Sequence, residues 1–278
     1  MLNVTYQKHR LQYWGELVHD RLTPPRRRDP AGWHPPANVF FVTGHGRSGT
    51  QFLAHLFDGA RNAVVGHEPV KADIFAVQRA RLEPDFGTRY VETYRRWKIA
   101  DAAAHAAPGR YGEVNSRLRS VLPALRASFP DAPMVRIMRD GRDVVRSMLA
   151  RDRWMIDVLV RRAPRLVPAD PFIDELARMT PFEQACWYWR FDMTQLARTL
   201  PDHVRFEDIM ADPACLYEQL VEPLGLDLDA AQIETVLRKP RNETREHAIA
   251  GWREWSPAET ASFWRICGDV MEAHGYER

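Results

Sequence analysis

The chain has 278 residues, is 45% hydrophobic, and carries a formal net charge of +2, so it can bury one large core and has no overall field for gripping nucleic acid. Its three cysteines, Cys186, Cys215 and Cys267, are scattered and have no C-x-x-C partner or histidine at ligand spacing, which excludes a zinc site and a disulfide framework. No secretory-type segment opens the sequence, and no stretch approaches the roughly 18 uninterrupted apolar residues of a membrane span, so a cytoplasmic protein is expected.

Residues 1–37 end in "RLTPPRRRDPAGWHPPA" and read as a basic N-terminal arm, either solvated or used for docking. One α/β domain is expected over 38–278. It opens with "VFFVTGHGRSGTQFLAHLF": an apolar strand at 39–43, a glycine turn, and a helix from about Ser48 with Phe52, Leu53, Leu56 and Phe57 on one face. "NAVVGHEP" at 62–69 is a second strand closed by proline. Residues 71–110 have helical spacing and, with 151–182, are the expected cap and substrate segments. "RYGEVNSRL" supplies a third strand and "SVLPALRASFP" a helix. "APMVRIMRDGRDVVRSMLARDRW" then repeats the strand, glycine turn and helix of the opening. "PFEQACWYWRFDMTQLARTL" is a strong amphipathic helix whose Trp187 and Trp189 read as core, and "HVRFEDIM" is a short strand running into a turn. This alternation predicts a P-loop NTPase-like parallel sheet flanked by helices, with a mainly helical cap.

Three phosphate-binding templates fit the opening turn. Gly44, Gly46 and Gly49 satisfy the dinucleotide pattern G-x-G-x-x-G, and Glu68 lies near the position of a ribose-binding acid. Gly44 and Gly49 also have the spacing of an NTPase loop, but that loop's lysine is missing. The third template centres on Arg47-Ser48-Gly49-Thr50. A turn from a buried strand into a helix presents backbone N–H groups at the positive end of the helix dipole. Arg47 adds a planar fork there, and Ser48 and Thr50 add hydroxyls.

The second strand-turn-helix decides among them. Arg139 ends a strand and Ser147 follows about two helical turns later, where both can face one anion; mutual pairing among Arg139, Asp140, Arg142 and Asp143 is the alternative. Two such sites suit a nucleotide phosphorylated at both ends of its sugar.

Residues 41–57 resemble the 5′-phosphosulfate loop of PAPS-dependent sulfotransferases. Residues 135–148 resemble their 3′-phosphate motif R-x-x-R-D-x-R-D-x-x-x-S, and "VRFEDIMADPACLYEQLVEPLGL" resembles their x-x-E-D-L-x-x-D-P segment. The resemblance runs from about 38 to 275 and is nearer the bacterial and carbohydrate-type branch. It implies 3′-phosphoadenosine 5′-phosphosulfate as donor, 3′,5′-ADP as product, a small-molecule or glycan acceptor and no obligatory metal.

By the same resemblance, Gly46, Arg47, Ser48, Gly49, Thr50 and Gln51 cradle the 5′-phosphate, and Arg139 and Ser147 hold the 3′-phosphate. Glu68 matches the family's glutamate base. His67 is its rival, since histidine has the readier reference pKa, near 6.5. His45 either assists the leaving group or fills the turn, and His105 is an ordinary surface histidine. "RKPRNETREHAIAGWREWSP" resembles the segment that folds over the nucleotide, making Arg245 and Arg253 candidate contacts, with pairing to Glu243, Glu246 or Glu254 the alternative. Where many relatives carry K-x-P, this chain reads Glu113-Val114-Asn115-Ser116. The alternatives to transferase chemistry are a NAD-dependent oxidoreductase using 44–49, a P-loop-like kinase, and a non-catalytic nucleotide-binding protein.

Overall fold

A computed structural model describes residues 32–150, 153–238 and 251–278, together with Lys8, Leu11, Trp14 and Gly15 of the N-terminal segment. Five strands make one sheet: β1 (Val39–Gly44), β2 (Ala63–His67), β3 (Arg110–Val114), β4 (Met134–Met138) and β5 (Val204–Arg205). Every pairing is parallel, in the order β2-β3-β1-β4-β5.

The helices, in chain order, are α1 (Thr50–Phe57), α2 (Asp73–Leu82), α3 (Pro84–Tyr90), α4 (Arg96–Ala106), α5 (Leu122–Ser128) and α6 (Gly141–Leu149). They continue as α7 (Trp154–Leu166), α8 (Pro181–Thr199), α9 (Phe206–Ala211), α10 (Pro213–Leu216), α11 (Ala230–Arg238) and α12 (Pro257–Ala273). None among the described residues is long and apolar enough to cross a membrane.

Strand β1 shows why the sheet is sandwiched. All six of its residues are buried, as a parallel strand covered on both faces requires. Because strand side chains alternate in direction, Val39 and Phe41 join one core with Phe75, Tyr90, Ile99, Trp187 and Phe263. Phe40 and Val42 join the other, with Leu53, Leu56, Phe57, Ile209, Leu220 and Ile233. Each fully buried side chain of this kind contributes about 1.5–3 kcal/mol. Trp187 and Trp189 are fully buried on α8, as their helical spacing predicts. Capping boxes, Thr180 with Glu183 and Ser256 with Glu259, start α8 and α12, which pack on each other.

Two expected elements end differently. The third strand stops at Val114 because Asn115 Oδ1 accepts from Arg117 N–H at 2.9 Å and starts a 3-10 turn over Ser116–Ser120. In "HVRFEDIM" only Val204 and Arg205 pair with β4, and α9 begins at Phe206.

The strand order fixes where chemistry can occur. The chain leaves β1 toward one edge of the sheet and β4 toward the other, so a crevice opens at the carboxyl ends of β1 and β4, where open α/β sheets bind ligands.

Candidate active site

The first motif turns at that crevice. Gly44 is compulsory: a Cβ there would stand 2.5 Å from the Ile137 carbonyl oxygen of the adjoining strand. Gly49 has φ 90° and caps α1 with no side-chain bond, and the Phe206 ring occupies the space a Cβ would need. The first-turn N–H groups of Thr50, Gln51 and Phe52 therefore keep the anion-attracting character of a helix start. Ser48 N–H donates to the His45 carbonyl at 3.2 Å, while its buried Oγ has no hydrogen-bond partner. Arg47 has φ 78° and Glu68 φ 47°, the two non-glycine residues with positive φ among those described. Such a conformation costs roughly 1–2 kcal/mol per residue and concentrates at functional sites.

The second motif meets the first. Arg47 Nε donates to Ser147 Oγ at 2.8 Å although the two are 100 positions apart, and Arg139 Nη1 donates to the Arg47 carbonyl at 3.3 Å. Asp140 caps α6, accepting from Arg142 N–H at 2.9 Å, and its own N–H donates to Glu207 Oε1 at 2.9 Å. Tyr276 Oη donates to the other oxygen of Glu207, also at 2.9 Å.

Mutual pairing within the motif accounts for Arg142, which grips Asp140 with Nε at 2.9 Å and Nη2 at 2.7 Å. It engages Arg139 only loosely. Arg139 Nη2 is 3.7 Å from Asp143, and the buried Nε has no hydrogen-bond partner. Beside them, Phe52 packs edge-on to Phe206 at 6.2 Å, and the Arg139 guanidinium lies 5.2 Å above Phe206. The exposed Arg253 sits 4.4 Å from the Trp252 ring and Arg142 4.0 Å from the same ring, so this segment reaches the second motif. Arg245 lies outside the described residues.

Glu68 follows the last residue of β2. Ser116 Oγ donates to its Oε1 at 2.6 Å, and Arg117 Nε is 2.8 Å from its Oε2. Ser116 Oγ would also lie 3.8 Å from a Cβ on Gly46, so the hydroxyl that holds the carboxylate borders the glycine loop. Neither Ser116 nor Arg117 was legible as a site residue. The only signal was a capping asparagine after an apolar strand, at a place where the sequence departs from K-x-P. The other members of that stretch turn inward: Glu113 receives the Arg95 guanidinium at 2.5 Å, and Asn115 Nδ2 donates to both Asp73 and Glu113.

His67 is exposed at the end of β2; desolvation lowers its pKa, Glu68 opposes the shift and Arg117 adds to it. Because β3 lies between β2 and β1, the strand that leads to Glu68 is not adjacent to β1, as the acid's strand is in the 3-2-1-4-5-6 order of a dinucleotide fold.

A buried polar cluster backs the loop. Asp192 on α8 receives Arg81 Nη2 at 2.5 and 2.7 Å and Arg119 Nε at 2.7 Å. Tyr188 Oη accepts from both arginines at 2.9 Å. Burial alone would raise the Asp192 pKa, but Arg81 and Arg119 hold it below the usual carboxylate value. His45 Nε2 is 3.4 Å from Asp192, and its ring packs edge-on to Tyr188. Desolvation pushes the His45 pKa down to about 4, with Asp192 opposing. His45 thus meets α8 through its ring contact with Tyr188, its buried Nε2 having no hydrogen-bond partner, and two guanidiniums against one carboxylate leave net positive charge behind the turn.

No protein-family model matches the chain, and no curated protein matches it in sequence. Solved structures match in shape. The mouse sulfotransferase SULT7A1 complexed with PAP matches with a TM-score of 0.51 and 14% identity, over 86% of this chain and 86% of that one. A sulfotransferase from Alicyclobacillus acidocaldarius covers 87% of this chain and 96% of its own at 16% identity and a TM-score of 0.43. Sulfotransferase STF9 from Mycobacterium avium covers 96% and 82% at 16% identity and a TM-score of 0.49. At these identities the likeness is one of fold, and it rests on the mouse enzyme: the chain has a sulfotransferase-like fold.

Proposed function

We propose that this protein transfers a sulfuryl group from 3′-phosphoadenosine 5′-phosphosulfate to a hydroxyl of a small-molecule or glycan acceptor. The observation that carries the reading is the Arg47–Ser147 hydrogen bond at 2.8 Å, which joins two anion-binding motifs at the carboxyl edges of β1 and β4. One phosphate site would suit many nucleotides; two in contact suit a donor phosphorylated at both the 5′ and 3′ positions. The polar groups present fit such a donor. Ser48 Oγ and Arg139 Nε are buried and unbonded, one in each motif, and such groups ordinarily find a partner.

When bound, the donor supplies a sulfur–oxygen bond to its 5′-phosphate that is broken as the acceptor oxygen bonds to sulfur. The N–H groups from Gly46 to Gln51 other than that of Ser48, the hydroxyls of Ser48 and Thr50, and Arg47 hold the 5′-phosphate and stabilise the negative charge left on it. Arg139 and Ser147 hold the 3′-phosphate. Glu68 takes the proton of the acceptor hydroxyl, placed by Ser116 beside the loop where transfer occurs. Trp252 and Arg253 border the nucleotide from the second motif.

Incubation with the donor and a panel of hydroxyl acceptors, followed by mass spectrometry, tests the reading. Formation of 3′,5′-ADP together with a product heavier by one sulfuryl group is expected. Turnover of a nicotinamide cofactor, or phosphoryl transfer from ATP, would replace it.

A further inference from the structure

We infer that Arg117 forms an anion-binding subsite for the acceptor, so that the preferred acceptor bears a carboxylate or sulfate close to the hydroxyl that is sulfated. The inference rests on the reading of Glu68 as the base and goes beyond it by assigning a charge class to the substrate.

The geometry at Glu68 is specific. Arg117 Nε faces Oε2 at 2.8 Å, and Ser116 Oγ holds Oε1 at 2.6 Å. Arg117 approaches the carboxylate with Nε; among the described residues no hydrogen bond engages Nη1 or Nη2. The side chain is 26% exposed, against 17% for Glu68, so solvent and a ligand can reach it. Two parallel N–H donors in a rigid plane match the two oxygens of a carboxylate or sulfate.

The other arginines of this region are buried and turned to carboxylates. Arg81 and Arg119 are bonded to Asp192, and Arg95 is bonded to Asp73 and Glu113. Arg117 is the one of these four with donors left over and a surface to present them. Its place beside the base fixes the distance scale: an acceptor whose hydroxyl reaches Glu68 brings its neighbouring substituents to the Arg117 fork. An anion there would be bound by the fork, sharing the guanidinium's single positive charge with Glu68, whereas a neutral acceptor leaves the fork to water.

The backbone supports a positioned pair. Asn115 caps the turn that carries both residues through the Arg117 N–H, so Ser116 and Arg117 are held in fixed succession. Glu68 meets them from a left-handed backbone conformation, φ 47°. The His67 imidazole ends β2 and the Lys71 ammonium lies in the β2–α2 connection; neither supplies a guanidinium fork.

The test compares matched acceptors: 4-nitrophenyl β-glucuronide against 4-nitrophenyl β-glucoside, and 4-hydroxyphenylacetate against 4-hydroxyphenethyl alcohol. Binding to the protein saturated with 3′,5′-ADP is measured by ligand-detected NMR, and turnover by product mass. The wild type should favour an anionic member by about tenfold, the value of one charge-assisted hydrogen-bonded contact. Arg117→Gln should lose that preference, Arg117→Lys should recover part of it, and both should bind 3′,5′-ADP as the wild type does.

Binding without charge preference in every pair, binding of no member, or an equal loss on both members in Arg117→Gln would overturn the inference. Failure of the wild type to bind 3′,5′-ADP would instead overturn the donor assignment beneath it.

Discussion

At the scale of residues, the two positive-φ side chains, Arg47 and Glu68, are the two polar ends of the proposed reaction. A strained backbone at both places fits a site that fixes geometry at the expense of local stability. Replacing Glu68 with Gln keeps its shape and its contact with Ser116 but removes the proton acceptor. Turnover should fall by roughly 10²–10⁴-fold while 3′,5′-ADP affinity, read by calorimetry, is unchanged; retained turnover would move the base to His67. Ser147→Ala removes a hydroxyl that meets Arg47, and 3′,5′-ADP should bind up to about tenfold more weakly while 5′-AMP is unaffected. Arg47, Ser48, Thr50, Arg139 and Ser147 were legible because each lies in a short local pattern of strand, turn and helix. Ser116 and Arg117 were not, because their importance comes from meeting Glu68, 48 positions away for Ser116.

At the scale of elements, helix α6 is held at its start from the far end of the chain. Tyr276 bonds Glu207, and Glu207 bonds the N–H of Asp140, the residue after Arg139. Tyr276→Phe keeps the buried ring and deletes one hydrogen bond, so 3′,5′-ADP affinity should drop several-fold at the cost of only about 0.5–1.5 kcal/mol in stability. An unchanged affinity would make the relay purely structural. The Asp192 cluster behaves differently. Removing its carboxylate leaves Arg81 and Arg119 buried and facing each other, so Asp192→Ala should destabilise the fold by about 3–5 kcal/mol in urea unfolding. Strand and helix identities were readable from apolar spacing. This cluster was not, since Arg81 and Asp192 are 111 positions apart and meet only in the folded chain.

At the scale of the whole molecule, strand–helix alternation announced a parallel sheet but did not give its order. That order departs from a dinucleotide fold, because it places β3 between Glu68's strand and β1. Global stability should also report two histidines, the buried His45 and the half-buried His203. His45 and His203 are each lowered to about 4, first by desolvation. Between the ordinary histidine value and about 4 the unfolded chain binds protons that the folded chain does not, so stability is full above about 6.5 and declines as pH falls through this window. Thermal unfolding followed from pH 7 to 4.5 should show that decline, and His203→Gln should make it shallower.

The central claim is that one crevice recognises phosphates at both ends of a nucleotide's sugar. Calorimetric titration of the protein with 3′,5′-ADP and with 5′-AMP, repeated on Arg139→Ala, tests it most directly. The account predicts that the wild type binds 3′,5′-ADP far more tightly than 5′-AMP and that Arg139→Ala brings the two affinities together. Equal affinities in the wild type, or a preference that survives loss of Arg139, would contradict it.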